Sequence, residues 1–231
     1  MAKSKIKHIG FEIEGEYDSG FERDIRDKVP GCQMKGDGSV RVEKNRLLNA
    51  REFNSPVLSR TSNKIKAIFG LYDKAYKENR FNFNDSCGFH IHVSFLPERP
   101  PEILSYLFYK TFIENLKNKF PHVIDKRLGN RFCSKVANDE EVWKGHDRYR
   151  AVNFAPALSR HGTIEFRIFP SDTPEMMQAY LDFTLNQIKA FINSDHKIEF
   201  STKLAELGPS EIIRHNREVD IVPVNRQINA E

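Results

Sequence analysis

A chain of 231 residues with 39% hydrophobic residues, 29% charged residues and a formal net charge of +4 has the balance of a globular domain with a continuous core. It holds no apolar run near the roughly 20 residues a membrane helix needs, and its mild positive charge is too weak to argue for nucleic acid, for which no RNP-type strand, G-x-x-G clamp or zinc-finger spacing is present. Cys32, Cys87 and Cys133 are odd in number and widely spaced, which excludes a disulfide framework and a four-cysteine zinc site.

The basic N-terminus runs into a charged strand where a signal peptide would need an apolar stretch, so the protein is expected in the cytoplasm. That first strand, 6–17, places Glu12, Glu14 and Glu16 on one face and Phe11 and Ile13 on the other, because strand side chains alternate. Neighbouring like charges repel, so these carboxylates call either for a cation among them or for a solvated edge. A short amphipathic helix, 19–28, ends at Pro30-Gly31. The stretch 33–42 contains K-G-D-G-S-V, with hairpin chemistry at Asp37-Gly38. Asp37 either makes the turn or orients a cation or a substrate ammonium.

A further strand, 47–58, turns Glu52 and Asn54 one way and Phe53 the other, up to Pro56. Ile65, Ile68, Phe69, Tyr72 and Tyr76 recur at helical spacing over 62–80 and are expected in the core. Then comes S-C-G-F-H-I-H-V-S-F, 86–95, with His90, His92 and Ser94 on one face and Phe89, Ile91, Val93 and Phe95 on the other. Gly88 permits a close approach of backbone or ligand ahead of the first histidine. Taken alone, the strand also reads as a half-buried edge whose histidines face water.

A break at 97–101 precedes a helix over 102–119, with Leu104, Leu107, Phe108, Phe112 and Leu116 as its stripe. No clear period runs through 120–145, which reads as a functional or disordered loop. Its Arg127 and Arg131 either clamp phosphates or are surface charge. Strands follow at 148–154 and 163–169, joined by a polar turn at 160–162, and Glu165 and Arg167 share a face of the second. A helix over 174–193 carries Met177, Tyr180, Leu181, Thr184, Leu185 and Ile188 inward, and 195–231 is polar, with one short helix at 209–217. The division expected is one catalytic domain, 1–195, and a polar extension, 196–231.

If the strands lie in one sheet, Glu12, Glu14, Glu52, His90, His92, Glu165 and Arg167 share its polar face. Such a set needs cations, and oxygen donors with an occasional imidazole suit Mg²⁺ or Mn²⁺ better than zinc. Cys87 has the wrong parity to join the two histidines. No G-x-x-x-x-G-K-[ST] loop is present, so nucleotide phosphates would have to be held by metals and arginines.

G-F-E-I-E (10–14), C-G-F-H-I-H-V-S (87–94) and T-I-E-F-R-I-F (163–169) resemble, in this order, the signature strands of the glutamine synthetase and glutamate-cysteine ligase superfamily of carboxylate-amine ligases. E-F-N-S-P (52–56), R-Y-R-A-V-N-F (148–154) and the small size look most like its compact amidoligase branch. The resemblance implies an α+β fold, an antiparallel sheet with helices packed on one face and an open polar active-site face. It implies ATP as a substrate and Mg²⁺ or Mn²⁺, with Glu12, Glu14, Glu52, His90 and Glu165 as metal ligands. His92 is implied near the phosphates or the substrate and Arg167 on the transferring phosphoryl group; beside these, Arg131 and Arg148 are expected on ATP, and Asp37 and Asn153 on substrate. The reaction implied joins a Glu- or Asp-type carboxylate of an amino acid, peptide or protein to an amine through an acyl phosphate. The rival readings are a metal-dependent phosphotransferase or hydrolase, or a non-catalytic metal- or nucleotide-binding protein that kept the fold.

Overall fold

The computed structural model describes residues 4–42, 48–96, 103–144, 148–158 and 161–194. The expected break at 97–101, and the extension 196–231 with its helix at 209–217, lie outside the described residues. In chain order the elements are β1 (Lys5–Asp18), α1 (Ser19–Lys28), β2 (Gln33–Gly36), β3 (Leu48–Asn54), α2 (Asn63–Lys77), β4 (Phe81–Asn82), β5 (Gly88–Leu96), α3 (Tyr106–Lys119), α4 (Pro121–Arg127), α5 (Asp139–Lys144), β6 (Val152–Asn153), α6 (Ala155–Leu158), β7 (Thr163–Pro170) and α7 (Pro174–Asn193). The strands form one open sheet in the order β2-β3-β1-β5-β7-β6, with short β4 added beside β1. Every pairing is antiparallel. The architecture is α+β.

Alternation builds the layers. Phe11, Ile13 and Tyr17 of β1, Phe53 of β3, Phe89, Ile91 and Val93 of β5 and Ile164 and Phe166 of β7 are buried together. The same core takes Phe21 and Ile25 of α1, Ile68, Phe69 and Tyr72 of α2, Phe108, Phe112 and Leu116 of α3, and the inward stripe of α7. Phe11 stacks on Phe69 with ring centroids 5.4 Å apart, and Phe112 packs on Phe166 at 4.9 Å. Side chains of the opposite parity are left to the polar face.

Local chemistry fixes the element ends. Asp18 caps α1 by accepting from the Phe21 N–H at 2.6 Å, and Arg80 closes on the same carboxylate, so the β1–α1 corner is both capped and charge-paired. Ser62 caps α2, and Ser105 caps α3. Because the cap is Ser105, α3 starts four residues later than the helical stripe suggested. Leu104 is buried ahead of it, while Leu107 on its outer side is 39% exposed. Tyr76, expected in the core, is 47% exposed near the end of α2.

The aperiodic stretch 120–145 is not one loop. Pro121 in a first helical turn starts α4, and Asp139, Glu140 and Glu141 open α5 with the acidic residues a helix N-terminus favours. Both helices are too short to show a period. The segment 148–154 likewise contributes only Val152–Asn153 to the sheet before α6 begins. Around Asp37, β2 and β3 do pair antiparallel, but the connection spans 37–47 and is no two-residue hairpin.

Candidate active site

Register decides which polar side chains meet. On β1, Glu12 sits opposite Asn54 of β3 and His90 of β5, while Glu14 sits opposite Glu52. One row further, His92 faces Glu165, which is also paired with Asn153 of β6. Between the Phe89–Phe169 and Ile91–Phe166 pairs the register shifts by one, so Arg167 and Ile168 together oppose His90. Such a bulge re-aims a strand locally. Here it leaves the Arg167 carbonyl facing α4, where it accepts from Arg127 Nη2 (3.3 Å) and from the Cys133 thiol.

The resulting side-chain cluster is continuous. His90 Nδ1 is 3.0 Å from Glu12 Oε2 and 3.8 Å from Glu165 Oε1, while its Nε2 faces Glu14 Oε1 at 3.7 Å. His92 Nε2 lies 3.2 Å from Glu12 Oε1, off the line of a hydrogen bond. Arg167 Nη1 meets Glu165 Oε1 at 2.5 Å, and Asn153 Nδ2 holds the other oxygen at 2.8 Å. Glu14 Oε2 accepts the Gly88 N–H at 2.6 Å, and Glu52 is tied to Asn54.

Two groups of donors are close enough to share a cation. Glu12, His90 and Glu165 form one, and Glu14, Asp37 and Glu52 form the other; within each, one donor atom per residue lies within 4.8 Å of the rest. Their chemistry is that of a hard-cation site, five carboxylates and one imidazole. The electrostatics fit. Burial pushes the Glu14 carboxyl above the usual range, with Asp37 adding repulsion against the relief from His90. Burial and the neighbouring Glu12 charge do the same to Glu52. Burial works against the charge on Glu12 too, yet the hydrogen bond with His90 and the close approach and charge of His92 and His90 outweigh it and hold that carboxyl well below its ordinary value. For His92, burial lowers the value and Glu12 raises it, with a net rise.

Beside these groups opens a cleft of about 290 Å³. Glu14, Asp37 and Glu52 line it together with Arg127, Arg148 and Arg167, and Phe132 and Tyr149 supply aromatic surface. Gly88 makes the convergence possible. A Cβ there would sit 2.5 Å from His90 Nε2, 2.9 Å from Arg127 Nη2 and 3.0 Å from Glu14 Oε2. Three functional side chains meet over a residue that has none.

The structure thus brings together Glu12, Glu14, Glu52, His90, His92, Glu165 and Arg167, the set gathered from the sequence, and adds Asp37 and Arg148. Asp37 makes the turn, accepting from the Ser39 N–H and hydroxyl, and it also lines the cleft. Arg131 is exposed, its guanidinium 4.4 Å from the Phe132 ring centroid, and is not among the lining residues. Asn153 is buried, donating to Glu165 and accepting from the Ala155 N–H, a place that orients Glu165. Glu16, third on the β1 face, is buried and accepts from the amides of Asn82 and Asn84. Arg127 is, with Arg131, one of two arginines whose role the sequence left open. It is 5% exposed and lines the cleft.

With this geometry in hand, a family comparison is decisive. Residues 10–143 match the model of the family described as "Putative amidoligase enzyme". The chain belongs to this amidoligase family. The match spans β1 to α5 and so contains Glu12, Glu14, Glu52, His90 and Arg127; β7, with Glu165 and Arg167, lies beyond it. No curated protein matches the chain, and no solved structure does. The family description points to an amide-bond-forming ligase.

Proposed function

We propose that the protein is an ATP- and divalent-cation-dependent carboxylate-amine ligase of the glutamine synthetase and glutamate-cysteine ligase type. The observation that carries this reading is the pairing of two three-residue acidic groups, linked by His90, with a wall of arginines across one cleft. Acyl activation by a nucleotide needs that combination, cations to bridge the phosphates and guanidinium groups to take up charge on the transferring phosphoryl group.

Glu12, His90 and Glu165 would hold one Mg²⁺ or Mn²⁺, and Glu14, Glu52 and Asp37 a second. When bound, these ions supply charge neutralisation and a template for the phosphates and the acid. Arg167, fixed by Glu165, presents its guanidinium to the cleft from the bulge and neutralises the phosphoryl group. His92 keeps Glu12 ionised. Asn153 holds the second oxygen of Glu165, so that carboxylate keeps one orientation. The substrate carboxylate, on an amino acid, peptide or protein, is phosphorylated, and an amine attacks the acyl phosphate and displaces phosphate.

Calorimetric titration of ATP into wild type and Glu14→Ala, with and without Mg²⁺, tests the reading. Binding that needs both the ion and Glu14, followed by amide product from an acid and amine panel, is the expected result. Nucleotide turnover without amide product would transfer the site to phosphoryl transfer or hydrolysis. Absence of nucleotide binding by wild type would reject the ligase reading.

A further inference from the structure

Most buried or half-buried arginines of the described chain have a carboxylate partner. Arg80 pairs with Asp18 and Asp24, Arg51 with Glu22, Arg150 with Glu141, and Arg167 with Glu165. Arg127 does not. It is the most deeply buried of them, 5% exposed, yet it forms no ion pair among the described residues. Its guanidinium donates from Nη2 to the Arg167 carbonyl at 3.3 Å, and its Nε–H finds no acceptor. The thiol beside it, Cys133, is pushed up by burial and is therefore neutral. Burying a guanidinium without a counter-charge is strongly unfavourable, so the missing charge is expected from outside the chain.

Position says where that charge sits. Arg127 ends α4 and lines the cleft with Arg148 and Arg167, and its Nη2 is one of the three atoms that converge on Gly88. Glu14 Oε2 converges on the same point, and with Asp37 and Glu52 it makes the acidic group suited to a cation. An oxyanion placed between them would take the cation on one side and a planar, two-pronged donor on the other, the geometry in which arginine exceeds lysine.

We propose that Arg127 is a ligand-binding residue whose counter-charge is a substrate oxyanion, a phosphoryl or carboxylate oxygen held in the cleft. This deepens the ligase reading and rests on it only for the identity of the substrates. Its physical signature separates it from a structural arginine. Removing an uncompensated buried charge leaves the ligand-free fold as stable as before or more so, while binding is lost.

The test uses wild type, Arg127→Gln, Arg127→Lys and the exposed neighbour Lys126→Gln as a charge-matched control. Each is titrated with Mg-ATP, Mg-pyrophosphate and glutarate, and its ligand-free unfolding temperature is measured. Wild type is expected to bind at least one of these anions, about 10- to 100-fold more tightly than Arg127→Gln, the size of a charged hydrogen-bond loss. Arg127→Lys is expected to stay weakened, Lys126→Gln to bind like wild type, and Arg127→Gln to unfold at or above the wild-type temperature. Weakening of pyrophosphate and ATP with glutarate unchanged assigns the oxyanion to a phosphoryl group, and the converse assigns it to the acid substrate. Arg127-dependent binding of pyrophosphate or glutarate by a protein that does not bind ATP would keep this assignment and sink the ligase reading. Equal affinities in wild type and Arg127→Gln, no binding of any probe by wild type, or failure of both Arg127 variants to fold would overturn it.

Discussion

Glu14 sits 7% exposed on β1 with one oxygen on the Gly88 N–H, facing Glu52 across the register, with Asp37 in the same acidic group. A residue so placed is held for binding rather than for folding. Glu14→Gln is therefore expected to leave the cation-free protein within about 1 kcal/mol of wild type, since it removes repulsion as well as a hydrogen bond. The same change should abolish cation-dependent stabilisation, which thermal unfolding with and without Mg²⁺ reads directly. Gly88→Ala probes the same spot from the other side. The added methyl group has to displace His90, Arg127 or Glu14, so a loss of about 1–3 kcal/mol is expected by overpacking. Urea titration checks it; an unchanged midpoint would show that the three side chains are not confined there.

At the level of elements, the β1–α1 corner carries much of the first strand's placement. Asp18 caps α1 and receives Arg80, so Asp18→Ala should destabilise the protein by about 1–2 kcal/mol. Although partial burial opposes its charge, hydrogen bonds from Arg80 and the Phe21 N–H hold the Asp18 carboxyl below its ordinary value. A carboxyl depressed on folding adds stability above its unfolded value, near 4, and that contribution disappears as pH falls through the folded value. Acid unfolding followed by circular dichroism should accordingly lie closer to neutral pH in Asp18→Asn than in wild type. Coincident curves would remove the corner from the acid response.

The strands and long helices were legible because their apolar residues repeat. β1, β3, β5 and β7, α1 and α7 fall where alternation and helical spacing put them, and the shared polar face followed from parity alone. What had no period was not legible. α4 and α5 are under two turns each, and nothing in the sequence separates Arg127, buried at the end of α4, from the exposed Arg131. The hydrogen bond of Arg127 goes to the Arg167 carbonyl in the β7 bulge, which strand parity cannot anticipate. Tyr76 and Leu107 failed for a simpler reason: an amphipathic stripe has edges, and its outermost members face water.

On the scale of the whole molecule, the sheet holds a charged face that its own residues do not neutralise. Glu14 and Glu52, both raised by burial, and His92, raised by Glu12 against its burial, all bind protons more tightly folded than unfolded. Their contribution is greatest at low pH and is lost as pH rises through the folded values, whereas Glu12, depressed, is already fully contributing above pH of about 5. Cation-free protein should lose stability as pH rises above about 5, and a divalent cation should restore it. At one hundred times its dissociation constant the ion adds about 2.7 kcal/mol, and the gain in unfolding temperature should be larger at pH 8 than at pH 5. An equal gain at both would detach the cation from these carboxylates.

One buried hydroxyl sets how this face opens. Ser171, directly after β7, shares its Oγ–H between the carbonyls of Glu14 and Gly88, at 2.7 and 2.9 Å, three residues ahead of the start of α7. β1, β5 and the longest helix are thereby fastened at a single point beside the carboxylates. Their amides should exchange with solvent as one slow cohort, released together and not strand by strand, and in Ser171→Ala that cohort should divide into two.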